Sequence, residues 1–158
     1  MLTQTSELGI QALLHLVLLG EDQPVSPRRI AEATGSSPTY TSKVTGLLVR
    51  AGILRSHKGF KGGVTMAADP AQLTLLEIVE ACQGRILGDF CEPTDDLSLV
   101  CAYHEAMAEL HDAIIGVLSR WTLADLAAKP QPDPKLAPRV NCKLHLAVHA
   151  GKAGKRKR

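Results

Sequence analysis

The stretch that decides the fold runs from Ser26 to Ala67 and reads SPRRIAEATGSSPTYTSKVTGLLVRAGILRSHKGFKGGVTMA. Its two Ser-Pro pairs, Ser26-Pro27 and Ser37-Pro38, are typical of helix starts, because the hydroxyl caps the helix and proline fills a position that needs no N–H. Gly35 is expected to end the first helix and Gly52 the second. The spacing therefore predicts two short helices joined by a tight turn, which is a helix-turn-helix.

A basic hairpin is predicted directly after the second helix. Ile53 to Ser56 and Val64 to Ala67 form its strands, and a glycine-rich turn from Lys58 to Gly63 joins them. A helix-turn-helix followed by such a hairpin is the pattern of a winged DNA-binding unit. We refer to residues 26–67 as the winged unit, and we predict a mainly α-helical fold with a small β-hairpin wing.

Charge is segregated along the chain, although the net charge is only +2. Residues 28–61 contain seven Lys and Arg and one acidic residue, whereas residues 69–128 contain two Lys and Arg and eleven acidic residues. Residues 129–158 are basic again, with nine Lys and Arg and one acidic residue. Positive charge on the winged unit is what neutralisation of phosphates requires, so the distribution predicts double-stranded DNA as a partner.

The remaining pattern is helical. A first helix is predicted from Thr5 to Leu19, and a capping box at Thr74 and Glu77 begins another that extends through Cys82. A long helix is predicted from about Ser98 to Arg120, and a short one, capped by Thr122, from there through Ala128. We assign residues 1–84 to the DNA-binding domain, 85–128 to a sensor loop and long helix, and 129–158 to a Pro-rich linker and basic tail that we expect to be disordered.

The long helix carries an apolar stripe that needs a partner. A helix of about 20 residues spans about 30 Å, which is more than so small a domain covers. The same helix in a second subunit would supply both the partner and the paired half-sites that such DNA-binding proteins use, so we expect a homodimer. The alternative is that the stripe packs back on the winged unit. The residues of the apolar stripe are Val100, Met107, Leu110, Ile114, Val117, Leu118 and Trp121.

Several classes of protein are disfavoured. No run of about eighteen apolar residues and no signal-peptide pattern occurs, so we expect a cytoplasmic protein without a membrane partner. In that compartment the four cysteines are expected to be thiols or ligands rather than disulfides. No nucleophile elbow, phosphate-binding loop, dinucleotide fingerprint or zinc-protease motif is found, so the chain is not expected to be an enzyme.

Taken together, these motifs resemble the Rrf2 family of bacterial winged helix-turn-helix regulators. The resemblance covers about residues 1–128, and it departs from the family at Lys58, where Arg is frequent, and at Val64, where Tyr is frequent. Lys58 keeps the charge but lacks the planar fork of Arg. The matching residues are Ile30-Ala31-Glu32, Tyr40, Leu47 to Leu54, Lys58-Gly59, Gly62-Gly63, Thr74 to Ala81, Gly84 and Thr122 to Ala127.

The resemblance implies which residues contact DNA. The second helix of the motif would enter the major groove, and the wing would reach the minor groove or the phosphates. Hydroxyl and lysine side chains near a helix N-terminus suit this role, because they bond to phosphates and base edges. The candidates are Ser37, Thr39, Tyr40, Ser42 and Lys43 on the helix and His57, Lys58 and Lys61 on the wing.

The resemblance also implies a sensor. In cluster-bearing members, three cysteines before and at the start of the long helix hold an iron–sulfur cluster, and in some the last is followed three residues later by histidine. Cys91, Cys101 and His104 fit this arrangement, but the middle cysteine is missing. The expected cofactor is a 2Fe–2S cluster held by Cys91 and Cys101 and completed by His104 or by Glu7, which could come from the partner chain.

The expected function is that of a homodimeric repressor whose operator affinity responds to redox state, iron or nitric oxide. Two alternatives are open. Cys91 and Cys101 could act directly as a thiol switch, or the chain could bind a small-molecule effector without a cluster. A separate set, Cys142, His145 and His149, has helical spacing that can bind a metal but lacks a fourth ligand.

Overall fold

The structure, a computed structural model, describes residues 2–20, 23–59, 62–86, 100–133 and 135. The described residues form six helices and one two-stranded antiparallel sheet, which confirms the predicted fold class. The elements are α1 (Gln4–Leu19), α2 (Pro27–Thr34), α3 (Pro38–Arg50), β1 (Leu54–His57), β2 (Gly63–Met66), α4 (Leu75–Gln83), α5 (Ala102–Arg120) and α6 (Leu123–Ala128).

Hydroxyl caps begin five of the helices. Four of these caps were predicted from the sequence, whereas the cap of α1 places its start at Gln4 rather than at the predicted Thr5. In each of the five, the side-chain oxygen accepts a hydrogen bond from the backbone N–H three residues later, which pairs one of the otherwise unbonded N–H groups of the first turn. In α4 and α6 the acidic residue at that third position also accepts from the backbone N–H of the cap, so both predicted capping boxes are complete. The caps are Thr3, which was not predicted, and the predicted Ser26, Ser37, Thr74 and Thr122.

The end of α3 explains why the wing begins one residue later than predicted. Gly52 has a left-handed φ of 76°, and its N–H bonds to the Val49 carbonyl at 3.0 Å. The N–H of Ile53 bonds back to the Leu48 carbonyl at 3.0 Å, which completes a Schellman motif. Because Ile53 serves this helix end, β1 starts at Leu54.

The wing is attached to the body of the protein by a short third segment. Leu54 pairs with Met66 and His57 with Gly63 across the hairpin. On the other side of β2, Val25 and Val64 exchange two backbone hydrogen bonds of 3.0 and 2.9 Å. The sequence analysis predicted no third segment here, and this bridge fixes the position of the wing.

One apolar cluster joins α1 to α4, α6 and the wing. Leu13 and Leu14 of α1 are fully buried, as are Ile78 of α4 and Leu123 of α6. Within the described residues α5 adds no member to this cluster. The long helix therefore lies beside the core rather than inside it, which leaves much of its surface accessible.

The long helix begins later than predicted. It starts at Ala102 rather than about Ser98, because the backbone of Cys101 is extended, with φ −73° and ψ 157°. The first helical bond runs from the N–H of Glu105 to the Cys101 carbonyl. The expectation that Val100 belongs to the helical stripe was therefore wrong. Apolar spacing alone had set that boundary, without a capping signal.

The end of α5 is tied to the start of α4 through paired helix starts. Thr74 and Thr122 form an isolated antiparallel bridge. Leu75 donates its N–H to the Trp121 carbonyl at 2.8 Å, and Leu123 donates to the Leu73 carbonyl at 2.9 Å. The two capping boxes thus lie side by side, and they hold the start of α6 and the end of α5 against the start of α4.

In the described part of the chain, no helix is both long and apolar enough to cross a bilayer. Most of the predicted sensor loop, at residues 87–99, and most of the linker and basic tail lie outside the described residues. Cys91, Cys142, His145 and His149 lie there as well.

Candidate nucleic-acid interface

The helix α3 has one buried face and one exposed face. Thr41, Val44 and Leu48 are fully buried and anchor the helix against the core. The predicted DNA-facing residues at the other side of its first two turns are exposed. They are Ser37, Thr39, Ser42 and Lys43.

These exposed side chains surround a helix N-terminus whose backbone is already ordered. The Ser37 hydroxyl accepts from the Tyr40 N–H at 3.2 Å, and Pro38 occupies the first turn. The positive end of the helix dipole therefore lies beside three hydroxyl groups and a lysine. This arrangement suits bonding to phosphates and to base edges.

Tyr40 is placed differently from the other candidates on α3. Its side chain is half-buried and packs against the core. Its hydroxyl lies 2.9 Å from the Thr5 hydroxyl oxygen in α1. Tyr40 therefore fixes the angle of α3 relative to α1, and a contact between its ring and DNA stays a prediction.

The wing presents its polar residues on exposed backbone. His57 and Lys58 are both exposed, and the His57 Nε2 atom lies 2.9 Å from the Thr65 hydroxyl on the neighbouring strand. The turn is closed by a bond from the Gly62 N–H to the Gly59 carbonyl at 2.9 Å. Lys61, the remaining wing candidate, lies outside the described residues.

Positive charge on this surface is largely uncompensated. Arg28 pairs with Glu32 through an Nε to Oε1 contact of 3.2 Å, so that arginine adds no net charge. In contrast, four exposed cations have no acidic partner among the residues that the structure describes. They are Lys43, Arg50, Arg55 and Lys58.

Arg50 and Arg55 were not among the sequence-predicted site residues. Arg50 follows Lys43 by seven residues, or about two helical turns, so the two lie on one side of α3. Arg55 is exposed on β1, next to the predicted wing residues. Helical and strand periodicity applied to the basic residues could have identified both.

The residues predicted to hold a cluster are only partly brought together. Cys101 is a free, exposed thiol at the N-cap of α5. His104 is buried in the first turn of the same helix, and Glu7 is half-buried in the first turn of α1. No group of three His, Cys, Asp or Glu side chains in the described ranges is arranged to hold a metal ion, so these residues of one chain do not complete a cluster site. Cys91 lies outside those ranges.

Cys82 belongs to the core and not to this constellation. It is buried on α4, and burial raises the pKa of its thiol to about 11, because desolvation disfavours the thiolate. A Cβ atom added at Gly9 of α1 would lie 2.6 Å from its sulfur atom. The absence of a side chain at Gly9 therefore lets α1 approach α4 closely.

The exposed side of α5 is apolar. Leu110, Val117 and Trp121 are 51%, 47% and 45% exposed. An apolar cavity of about 350 Å³ lies along this side and is lined by Leu2, Ala113, Ile114, Val117 and Leu118. Contiguous exposed apolar surface of this kind marks an interaction site more often than a bare solvated face.

Comparison with known families gives one match that spans most of the chain. The family named Rrf2, described as iron-dependent transcriptional regulators, matches residues 2–129. The chain is 34% identical over 127 residues to a protein that bears the name HTH-type transcriptional regulator in Synechocystis sp., covering 79% of this chain and 86% of that relative. It is 30% identical over 146 residues to Protein rrf2 of Nitratidesulfovibrio vulgaris, covering 90% and 95%.

Solved structures share the fold. CymR of B. subtilis, described as the global cysteine regulator, matches with a TM-score of 0.68 at 25% identity. The match covers 83% of this chain and 98% of the CymR chain. A transcriptional regulator from Listeria innocua has a TM-score of 0.68 at 28% identity, with coverage of 85% and 90%. IscR of T. potens, at 24% identity and a TM-score of 0.67, covers 83% of this chain and 88% of its own and shows the same fold.

Proposed function

The chain belongs to the Rrf2 family of transcriptional regulators, and on that premise we propose that it represses transcription by binding an operator in double-stranded DNA as a homodimer. The observation that carries this proposal is the exposed face of α3. Its hydroxyls and Lys43 surround the helix N-terminus, while Thr41, Val44 and Leu48 anchor the opposite face. A helix held in this way can enter the major groove without losing its packing.

We assign the roles along the chain accordingly. Residues 1–84 bind DNA, residues 85–128 dimerise and carry control, and residues 129–158 form a linker and basic tail. On α3, the proposed direct contacts are Ser37, Thr39, Tyr40, Ser42 and Lys43, and Tyr40 also positions the helix. On the wing, His57, Lys58 and Lys61 reach phosphates or the minor groove. Because a transcriptional regulator acts on the DNA of the cell, we place the protein in the cytoplasm.

The test of DNA binding is selection of duplexes from a random library, followed by fluorescence anisotropy over a salt series. The proposal predicts enrichment of one inverted repeat, and an affinity whose logarithm falls linearly with the logarithm of salt concentration. In vitro transcription from a promoter that contains the repeat should decrease when the protein is added. A library without enriched sequence, or an affinity insensitive to salt, would exclude an operator-binding function.

The dimer is proposed from the apolar side of α5. Val117 is nearly half exposed at the centre of that side, and burial of such a surface against its copy is favourable. Val117→Asp should shift the mass measured by light scattering from dimer to monomer. Glu105→Lys, on an exposed polar position of the same helix, should leave the dimer mass unchanged. If both variants keep the dimer mass, α5 is not the interface.

Two kinds of control are proposed for the segment that leads into α5. The first is a 2Fe–2S cluster held by Cys91 and Cys101 with His104 or with the partner's copy of the Glu7 position, and the family description supports it. It requires ligands beyond those that the described residues of one chain supply. The second is a cluster-free mechanism, either a thiol switch of Cys91 and Cys101 or a small-molecule effector, and the exposed free thiol of Cys101 supports the switch.

Iron and acid-labile sulfide measured on anaerobically purified protein separate these two. Bound iron and sulfide that are lost in Cys101→Ala would support the cluster. Protein that is iron-free and resists reconstitution, but whose operator affinity changes with oxidant, would support the thiol switch. Iron-free protein that does not respond to oxidant would leave the small-molecule effector.

A further inference from the structure

A groove of mixed polar and apolar lining lies between α3 and the wing. Its volume is about 570 Å³. One wall is formed by Ser42, Gly46 and Arg50 of α3, and the other by Ser56, His57 and the glycine backbone of the turn. We call this feature the wing groove. It contains hydroxyl, imidazole and guanidinium groups and no acidic side chain among its described lining residues, so it is suited to an anion.

Arg50 is the strong cation of the wing groove. It is exposed, and no acidic residue in the described part of the chain pairs with it. Its Nη1 atom would lie 3.9 Å from a Cβ atom placed on Gly46, so the guanidinium folds back over the preceding turn of α3. A guanidinium is always charged and presents several N–H donors, which makes it a good ligand for a phosphate.

Packing against the described residues does not require glycine at position 46. Gly46 lies inside α3, where glycine destabilises a helix relative to alanine. Its backbone has no positive φ, and an added Cβ atom would meet only the Arg50 side chain within 4 Å among the described residues. Alanine would therefore fit. Glycine at this position leaves space for close approach of a ligand to the helix.

The position of the wing groove indicates the ligand. If α3 enters the major groove and the wing reaches the minor groove, one DNA strand must pass between them, because a phosphate backbone separates the two grooves. We propose that the wing groove binds one phosphate of that strand, with Arg50 as its cation and with Gly46 leaving the space for its approach. This inference rests on the proposed function, since it specifies how the same surface holds DNA.

The test uses the full-length protein and two variants, Arg50→Ala and Gly46→Ala. Arg50→Ala should weaken binding by the same factor for the selected duplex and for an unrelated duplex, and should reduce the salt slope by about 0.9 for each bound protomer. Gly46→Ala should weaken binding about fivefold or more, because a methyl group obstructs a close contact. It should nevertheless leave the thermal midpoint unchanged or raised, since alanine favours the helix.

Arg120→Ala is the matched control, because Arg120 is also an exposed arginine in the last turn of a helix. The affinity of Arg120→Ala for the duplex and its salt slope should both equal those of the wild type. If wild type and control bind the duplex and Arg50→Ala and Gly46→Ala bind it equally well, the wing groove is not a phosphate site, although the DNA-binding function stands. If wild type itself does not bind duplex DNA, the proposed function fails and this inference fails with it.

Discussion

The attachment of the wing to the body predicts a large effect of a single methyl group. At Gly63 an added Cβ atom would overlap the Val25 carbonyl, lying 2.6 Å from its carbon and 2.9 Å from the Ser26 nitrogen. These are backbone atoms, so no side chain can rotate away, and the strand must separate from Val25. Gly63→Ala should therefore break the bridge between Val25 and Val64.

The expected magnitude follows from the bonds lost. The bridge contains two backbone hydrogen bonds of 3.0 and 2.9 Å, and each contributes about 0.5–1.5 kcal/mol. Gly63→Ala should lower the free energy of unfolding by about 1–3 kcal/mol, as measured by urea denaturation. Hydrogen exchange should also accelerate at the amides of Val25 and Val64, and the affinity for the selected duplex should decrease because the wing is no longer fixed.

Gly116→Ala is the control for this substitution. Gly116 lies within α5, and a Cβ atom there would meet no described atom within 4 Å. The free energy of unfolding of Gly116→Ala should equal that of the wild type or be slightly higher, since alanine favours a helix. The free energy of unfolding of Gly63→Ala could instead lie within about 0.5 kcal/mol of the wild-type value, which is the range of an ordinary surface substitution. If the amides of Val25 and Val64 also keep their protection, the bridge between these residues does not hold the wing.

Three further predictions concern the body of the protein. Gly9→Ala should destabilise the fold by about 1–3 kcal/mol through overpacking. The double variant Gly9→Ala/Cys82→Ala should recover part of this loss in urea denaturation. If the effects of the two single substitutions on the unfolding free energy simply add in the double variant, the close contact between Gly9 and Cys82 is contradicted. Native protein treated with iodoacetamide at pH 8 should be modified at Cys101 well before Cys82, whose pKa is raised to about 11; equal rates in peptide mapping would contradict the burial of Cys82. Hydrogen bonds from the backbone and side chain of Thr122 lower the pKa of Asp125 from its ordinary value. Its carboxylate therefore stabilises the fold at neutral pH, and this contribution is lost as the pH falls through the lowered pKa. The difference in unfolding free energy between wild type and Asp125→Asn should shrink over that acid range, and a difference independent of pH would contradict the capping role.

Helix starts could be predicted because their chemistry is local. Ser26, Ser37, Thr74 and Thr122 cap helices through bonds to residues three positions away, and such short-range geometry is visible in the sequence. The start of α5 could not be placed in this way. Cys101 caps it without a side-chain hydrogen bond, so the sequence contains no signal there beyond apolar spacing.

Contacts between distant residues could not be predicted, because periodicity carries no information about them. The bond between the Tyr40 and Thr5 hydroxyls joins residues 35 positions apart. Because of this bond, Tyr40, which was predicted only as a DNA contact, also positions α3. The bridge of Val25 to Val64 involves a single residue pair, too short for any strand pattern. Likewise, the wing groove depends on Gly46 and Arg50 lying opposite the wing, which only the folded structure shows.

The most direct test of the central claim is photo-crosslinking of the protein to its selected duplex. A photoreactive amino acid would replace Ser42, on the exposed face of α3, or Glu105, on the exposed surface of α5. We predict that the protein labelled at position 42 crosslinks to bases within the enriched repeat, and that the protein labelled at position 105 gives no crosslink. Crosslinking from position 105 but not from position 42, with both proteins bound to the duplex, would contradict the assignment of α3 as the DNA-binding helix.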